Sequence, residues 1–331
     1  MTRLSVLVKG MKNNEKVIFR EGGGRFSINP MLSDHGTKYE IIIRPTMLCN
    51  INCIHCFLSR SNTSYGKGSI RKILSLLSPV SEKVMLTFSG GEPTLYPEFI
   101  DVMHDSIDYG FNQVILQTNG IMFAGSSLID SMPRSGKITF FSSFPSHVKE
   151  VYEDITRSNT YHKAIKGLKN ISNEYKVTLN HVVMRQNYEH LPDLIRFVAA
   201  NFNLANTKVL ISNVGTPSEG SHDQFFMRYD DLIPMFQNVF ALARELTVGL
   251  EFTVSGDCSY PLCFYHMIDP DILGFRGMFL ADGSKISYDS YDKKFYKSSK
   301  CRRCRYDENC QGFFSEYVKR FGESELRPIK R

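Results

Sequence analysis

A chain of 331 residues with 42% hydrophobic content carries enough apolar material for one large domain, or one domain with a small appendage, which excludes a disordered chain. Forty Lys and Arg against 34 Asp and Glu leave a net charge of +6 with no basic block, so nucleic acid is not an expected partner and an anionic ligand is weakly favoured. The opening MTRLSVLVKGMKNNEK has only a short apolar run before charges return, which fits neither a signal peptide nor a membrane span and leads us to expect a cytoplasmic protein.

Residues 1–38, containing EGGGRFSINP, read as a short β-rich lead-in with turns. From about Tyr39, β-branched runs alternate with longer amphipathic ones. Strands are expected at YEIIIRPT, KVMLTF, NQVILQT, KITFFSS, KVTLNHVV and TKVLIS. Helices are expected at SIRKILSLLSPV and over 97–109, 161–172, 191–201 and 230–246. Such alternation predicts an α/β fold with parallel strands joined by right-handed crossovers. Six units fall short of an eightfold barrel, so residues 39–253 are expected to form an open, partial (β/α)6 barrel with its site at the C-terminal strand ends. Residues 254–331 hold five cysteines, many Tyr and Phe and little periodicity, which predicts a small extension organised by metal.

The eight cysteines fall in two groups, three within 49–56 and five within 258–310. In a long chain of a reducing compartment, such short spacings point to metal ligands rather than disulfides. Cys49, Cys53 and Cys56 form CxxxCxxC after the first strand. Three thiolates suit three irons of a four-iron cluster whose fourth iron stays open. A zinc knuckle completed by His55, or plain core cysteines, fits the spacing equally well. The second strand runs into SGGEPTL, where the adjacent Gly90 and Gly91 let backbone approach a ligand closely and turn polar peptide groups toward it.

With CxxxCxxC after the first strand and GGEP (Gly90, Gly91, Glu92, Pro93) after the second, the sequence resembles the radical S-adenosylmethionine (radical SAM) superfamily over roughly residues 39–215. The resemblance implies a 4Fe-4S cluster on Cys49, Cys53 and Cys56 that binds S-adenosylmethionine through its open iron and cleaves it reductively. The product is a 5′-deoxyadenosyl radical that removes hydrogen from a substrate. It further implies that Gly90–Pro93 hold the methionine amino group and that His55 stands near the adenine. Thr118 and Asn119 in LQTNG, Ser142 and Ser143 at the end of the fourth strand, and Arg185 and Asn187 after the fifth fall where relatives contact the methionine carboxylate or ribose. For single polar residues at strand ends, an ordinary turn or cap is an equally good reading.

In the C-terminal group, Cys263 with Cys301, Cys304 and Cys310 makes a quartet suited to a second, auxiliary 4Fe-4S cluster or a tetrahedral zinc. The layout resembles the SPASM and twitch extensions of the superfamily. It departs from the full SPASM pattern, which expects cysteines where Phe314 and Asp282 stand, so a single twitch-like cluster is expected. Cys258 is left over, as a small buried hydrophobe, a substitute ligand or a hydrogen-atom donor to a substrate radical.

The expected function is a radical SAM enzyme acting on a peptide, as a precursor-peptide maturase, supplied by an electron donor such as flavodoxin or ferredoxin. A small-molecule or nucleotide substrate is the alternative within the class. A non-catalytic iron–sulfur or zinc protein is the alternative outside it. Glu92, Arg157, His181 and Glu219 are polar residues near loops that read more readily as surface or capping groups than as acids or bases.

Overall fold

The structure is a computed structural model that describes residues 3–13, 26–33, 36–59, 61–215, 224–253, 258–269, 295–308 and 310–330. Glu219 and Asp282, singled out in the sequence, lie outside these residues.

Strand β1 (Phe26–Ser33) folds back antiparallel onto β2 (Gly36–Ile43), and β2 opens a run of parallel strands. These are β3 (Val84–Phe88), β4 (Gln113–Thr118), β5 (Ile138–Ser143), β6 (Lys176–Val183), β7 (Thr207–Asn213) and β8 (Gly249–Phe252). The eight lie in sequence order in one sheet, every neighbour from β2 onward parallel. This is the expected partial barrel, with no closing pair among the described residues, and β8 extends the six expected strands by one. GLEF is too short to show alternation in sequence, and only its pairing with β7 makes it a strand.

Alternation sorts the side chains. In β4, Val114, Leu116 and Thr118 are buried while Ile115 and Gln117 are partly open; in β6, Val177, Leu179, His181 and Val183 are buried between more open neighbours. The core contains these buried positions together with apolar residues of the crossover helices α2 (Ser69–Leu77), α3 (Phe99–Asp108), α6 (Tyr161–Glu174), α7 (Leu191–Asn201) and α8 (Tyr229–Glu245). Ile70, Leu74 and Leu77, at helical spacing on α2, are fully buried, each contributing about 1.5–3 kcal/mol. Two short helices, α4 (Ser126–Ser131) and α5 (Lys149–Thr156), follow β4 and β5.

The lead-in differs from expectation. Residues 3–12 form helix α1 (Arg3–Lys12), with Met11 buried and Leu4 and Val8 packed against the core. These apolar positions recur at i, i+4 and i+7, a helical period too brief to stand out beside a glycine run.

The C-terminal extension comprises α9 (Leu262–Ile268), the antiparallel pair β9 (Phe295–Tyr296) and β10 (Phe313–Phe314), and α10 (Ser315–Phe321). It docks on the start of α8. Tyr229 and Tyr317 stack with centroids 3.9 Å apart, and buried Glu325 accepts from the Tyr317 hydroxyl and, at 3.0 Å, from the Tyr229 backbone N–H. Arg228 pairs with the same carboxylate at 2.8 Å. An acidic group at a helix N-terminus is favourably placed, and here it also fastens the extension to the barrel. No helix among the described residues is long and apolar enough to cross a membrane.

Candidate active site

At the C-terminal ends of the strands a cavity of about 520 Å³ opens, within the usual range for small-ligand sites of about 300–1,000 Å³. Cys49, Cys53 and Cys56 line it together with His55, Gly90, Gly91, Glu92, Thr118, Asn119, Ser143 and Cys258. The structure thus brings together residues from five stretches of chain.

The loop carrying the three cysteines has little structure of its own and is held from several sides. Met47 N–H bonds back to Thr63 O at 2.8 Å, and fully buried Thr46 accepts from Leu48 N–H and Ser64 Oγ. Gly91 and Glu92 donate their N–H groups to Thr46 O and Leu48 O at 3.0 and 2.7 Å. This changes the reading of the double glycine. A Cβ on Gly91 would stand 1.9 Å from Leu48 O, and one on Gly90, whose φ is +120°, 2.4 Å from Thr46 O. The glycines let the second loop lie directly against the cysteine loop, rather than serving ligand approach alone.

Glu92 is 1% exposed, so it is not a surface residue, although it does cap a short 3₁₀ turn over Pro93–Leu95 by accepting from Thr94 N–H. Its carboxylate also accepts from Thr94 Oγ1 (2.6 Å), Thr118 Oγ1 (2.8 Å) and Asn119 N–H (2.9 Å). Burial raises its pKa and these four donors oppose the rise by solvating the ionised form. Thr118 and Asn119 therefore stand at the cavity wall as braces for Glu92, and Asn119 Nδ2 reaches Asn50 Oδ1 in the cysteine loop at 2.7 Å.

His55 has its Nδ1 buried without a hydrogen-bond partner, and burial lowers its pKa to about 4, so it is a neutral ring against the cavity. Ser143 lines the cavity, whereas Ser142 points by alternation to the opposite face and is fully buried. Pro93 is buried away from the cavity lining. Arg185 is exposed and turns to Phe226 O at 3.2 Å, and Asn187 spends its amide on Pro145 O, in the loop after β5, and Val182 O, both 2.9 Å away. Arg157 is an exposed residue capping α5 with φ 50°, and His181 is buried with its Nδ1 on Phe144 O. Gln117, Phe141, Asn180 and Val182 line the cavity without having been picked from sequence. Gln117 and Asn180, polar residues at inward positions of apolar strands, were the available signal.

A second, small cavity of about 20 Å³ is lined by Cys263, Cys301, Cys304 and Cys310 but not by Cys258. Cys310 Sγ accepts from Leu262 N–H (3.4 Å) and Gly312 N–H (3.3 Å). Burial pushes the Cys263 thiol up to about 12, reinforced by the charges of Cys310, Cys304 and Cys301. Among the described residues, no three Cys, His, Asp or Glu side chains converge tightly enough to hold a metal ion as they stand. Both cysteine sets fit a cluster in donor chemistry, since a cubane spreads its thiolates wider than one tetrahedral ion does.

The model of the radical SAM superfamily matches residues 43–198. A "Probable GTP 3′,8-cyclase" of Sulfurisphaera tokodaii is 28% identical over 175 residues, covering 50% of this chain and 54% of that protein. Another from Methanothermobacter thermautotrophicus is 25% identical over 204 residues, covering 60% and 65%. The tungsten-containing aldehyde ferredoxin oxidoreductase cofactor-modifying protein of Pyrococcus furiosus is 26% identical over 221 residues, covering 63% and 60%. The chain thus spans about half to two thirds of the curated relatives it matches. Among solved structures, Streptococcus suis SuiB bound to precursor peptide SuiA aligns with TM-score 0.57 at 16% identity, over 88% of this chain and 74% of that one. SuiB bound to S-adenosylmethionine aligns with TM-score 0.52 at 20% identity, over 80% and 54%. These two likenesses establish a shared fold.

Proposed function

From residues 43–198, which belong to the radical SAM superfamily, we infer that this chain is an enzyme that cleaves S-adenosylmethionine reductively and takes hydrogen from a substrate. The observation that carries this is the meeting of Cys49, Cys53 and Cys56 with the Gly90–Glu92 loop on one cavity wall. When bound, the cluster and S-adenosylmethionine supply the electron and the 5′-deoxyadenosyl radical.

The chain's own residues bind, orient and exclude water. With the N–H groups of Gly91 and Glu92 spent on the cysteine loop, the second loop has carbonyl oxygens left for the methionine amino group, which is a donor. Ser143, Gln117 and Asn180 offer hydroxyl and amide groups to the carboxylate and ribose, and Ile51, Phe141 and neutral His55 make the apolar wall an adenine needs. Cys49 is the exposed member of its trio, which supports that side as the electron entry for a flavodoxin- or ferredoxin-type donor.

The C-terminal quartet supports an auxiliary 4Fe-4S cluster of twitch type, with Cys263 rather than Cys258 as fourth ligand. Anaerobic reconstitution with iron and sulfide should give about eight irons per chain. Changing Cys263 and Cys310 to Ala should reduce this to about four while the trio keeps its share. Four irons in the unchanged protein would sink the auxiliary cluster.

A peptide substrate is supported by the extension and by the fold shared with SuiB. A purine nucleotide is the second reading, favoured by the relatives named as GTP cyclases. Cys258 lines the same cavity, which supports a role as hydrogen-atom donor to a substrate radical. Reaction in deuterated water with S-adenosylmethionine and dithionite, offered candidate precursor peptides and GTP in parallel, tests both points. We expect a peptide mass change, with solvent deuterium retained by the unchanged enzyme and absent in Cys258→Ala. Consumption of GTP with every peptide unaltered would overturn the peptide reading, and deuterium uptake by the variant would remove the role of Cys258.

A further inference from the structure

The middle ligand of the catalytic trio has an unusual arrangement on its flanks. Asn52 N–H and Ile54 N–H, the amides on either side of Cys53, do not face the cavity's sulfurs. They donate to Thr156 O at 2.8 Å and Ile155 O at 2.9 Å, the last carbonyls of α5. A helix C-terminus leaves its final carbonyls without partners inside the helix, and they carry partial negative charge. Glu153 O is taken by the cap, through the N–H groups of Arg157 and Ser158. The cysteine loop takes Ile155 O and Thr156 O.

A chain of hydroxyls holds that helix end in place. Thr156 Oγ1 donates to Tyr152 O at 2.8 Å, so its proton is committed. Ser158 Oγ, 3.0 Å away, must then donate to Thr156, and Thr160 Oγ1, 2.7 Å further on, must donate to Ser158. The chain of hydroxyls thus runs from Thr160 to the Tyr152 carbonyl, and each hydroxyl has one direction. Tyr152 is 1% exposed and packs with Ile51 in a small apolar cluster against which Cys53 lies.

We propose that the C-terminal turn of α5, locked by the Thr160–Ser158–Thr156 hydroxyl chain, is a positioning device that withholds the Asn52 and Ile54 amides from the cluster and so keeps its reduction potential low. Hydrogen bonds to sulfur stabilise the more negative, reduced state of a cluster and raise its potential. Removing two candidate N–H···S donors and putting helix-end carbonyls behind the loop both act the other way. Reductive cleavage of a sulfonium needs a strong reductant, and this arrangement favours one. The inference rests on the cluster assigned above, but the anchor itself is testable without metal.

In the apoprotein, amide hydrogen exchange should show Asn52 and Ile54 protected, with protection lost in Ser158→Ala and restored in Ser158→Thr, which keeps the hydroxyl. In reconstituted protein, the signal that responds to S-adenosylmethionine identifies the catalytic cluster. Its reduced-to-oxidised ratio at a fixed poise should rise about tenfold in Ser158→Ala, a positive shift of about 59 mV for one electron. Free exchange of both amides in the unchanged apoprotein overturns the anchor, whatever happens to metal loading. Lost protection with an unmoved potential overturns its electrostatic role. Failure of the unchanged protein to load the trio would instead count against the function, leaving the exchange result standing.

Discussion

Alanine at Cys49, Cys53 and Cys56 together should remove about four irons per chain and take dithionite-dependent formation of 5′-deoxyadenosine to background, a loss of at least about 10³-fold, since enzymatic accelerations rarely fall below about 10⁶. The size of the effect follows from the division of labour in this cavity. Among the described residues lining it, the groups besides the trio are amides, hydroxyls, apolar and aromatic side chains, a thioether, one neutral imidazole, a spent carboxylate and a lone thiol, none of which is a one-electron reductant of a sulfonium. The fold should survive, because Cys49 is exposed and Cys53 and Cys56 are only partly buried. Far-UV circular dichroism should therefore match the unchanged protein. Iron counting beside chromatographic assay of 5′-deoxyadenosine checks the expectation, and a variant that keeps cleaving would refute the assignment of the trio.

Gly91→Ala produces the same loss of catalytic iron by a different route, at a cost of about 3 kcal/mol or more in stability. The new methyl meets backbone, Leu48 O at 1.9 Å and Leu48 C at 2.4 Å, so no side-chain rotation relieves it. The two loops must part, breaking Glu92 N–H to Leu48 O and tilting the carboxylate that ties both to Thr118 and Asn119. Gly125→Ala is the control, with φ −89° and nothing within 4 Å of the added carbon, and it should lie within about 0.5 kcal/mol of the unchanged protein. The chain has no tryptophan, so urea unfolding is best followed by circular dichroism. Equal stability and iron content in the two variants would show that the close approach of the loops carries no weight.

Much of the scaffold was legible because β2 to β7 are long enough to show β-branched runs separated by helical periods. β8 and α1 were not, for want of length and of contrast with their surroundings. In the site, the cysteine trio and the GGEP loop were visible as spacing, and the cavity unites them. What spacing could not supply was direction. Ser142 and Ser143 are adjacent and chemically identical, yet the pleat sends one into the helix layer and the other to the cavity. Arg185 and Asn187 fall at a promising strand end, but nearby carbonyls claim both. Glu92 shows the same limit from the other side: its carboxylate binds protein so completely that sequence, which names it a polar loop residue, says nothing of its burial. Cys258 had three open readings, and only the cavity lining separates it from the quartet.

Cys258 on the forward cavity and Cys263 on the rear one are five positions apart, joined by Ser259, Tyr260, Pro261 and Leu262, all buried. A stretch this short and this enclosed has no slack. Any factor by which an occupant of the forward cavity tightens binding at the rear is, by linkage, the factor by which an occupant of the rear tightens binding at the front.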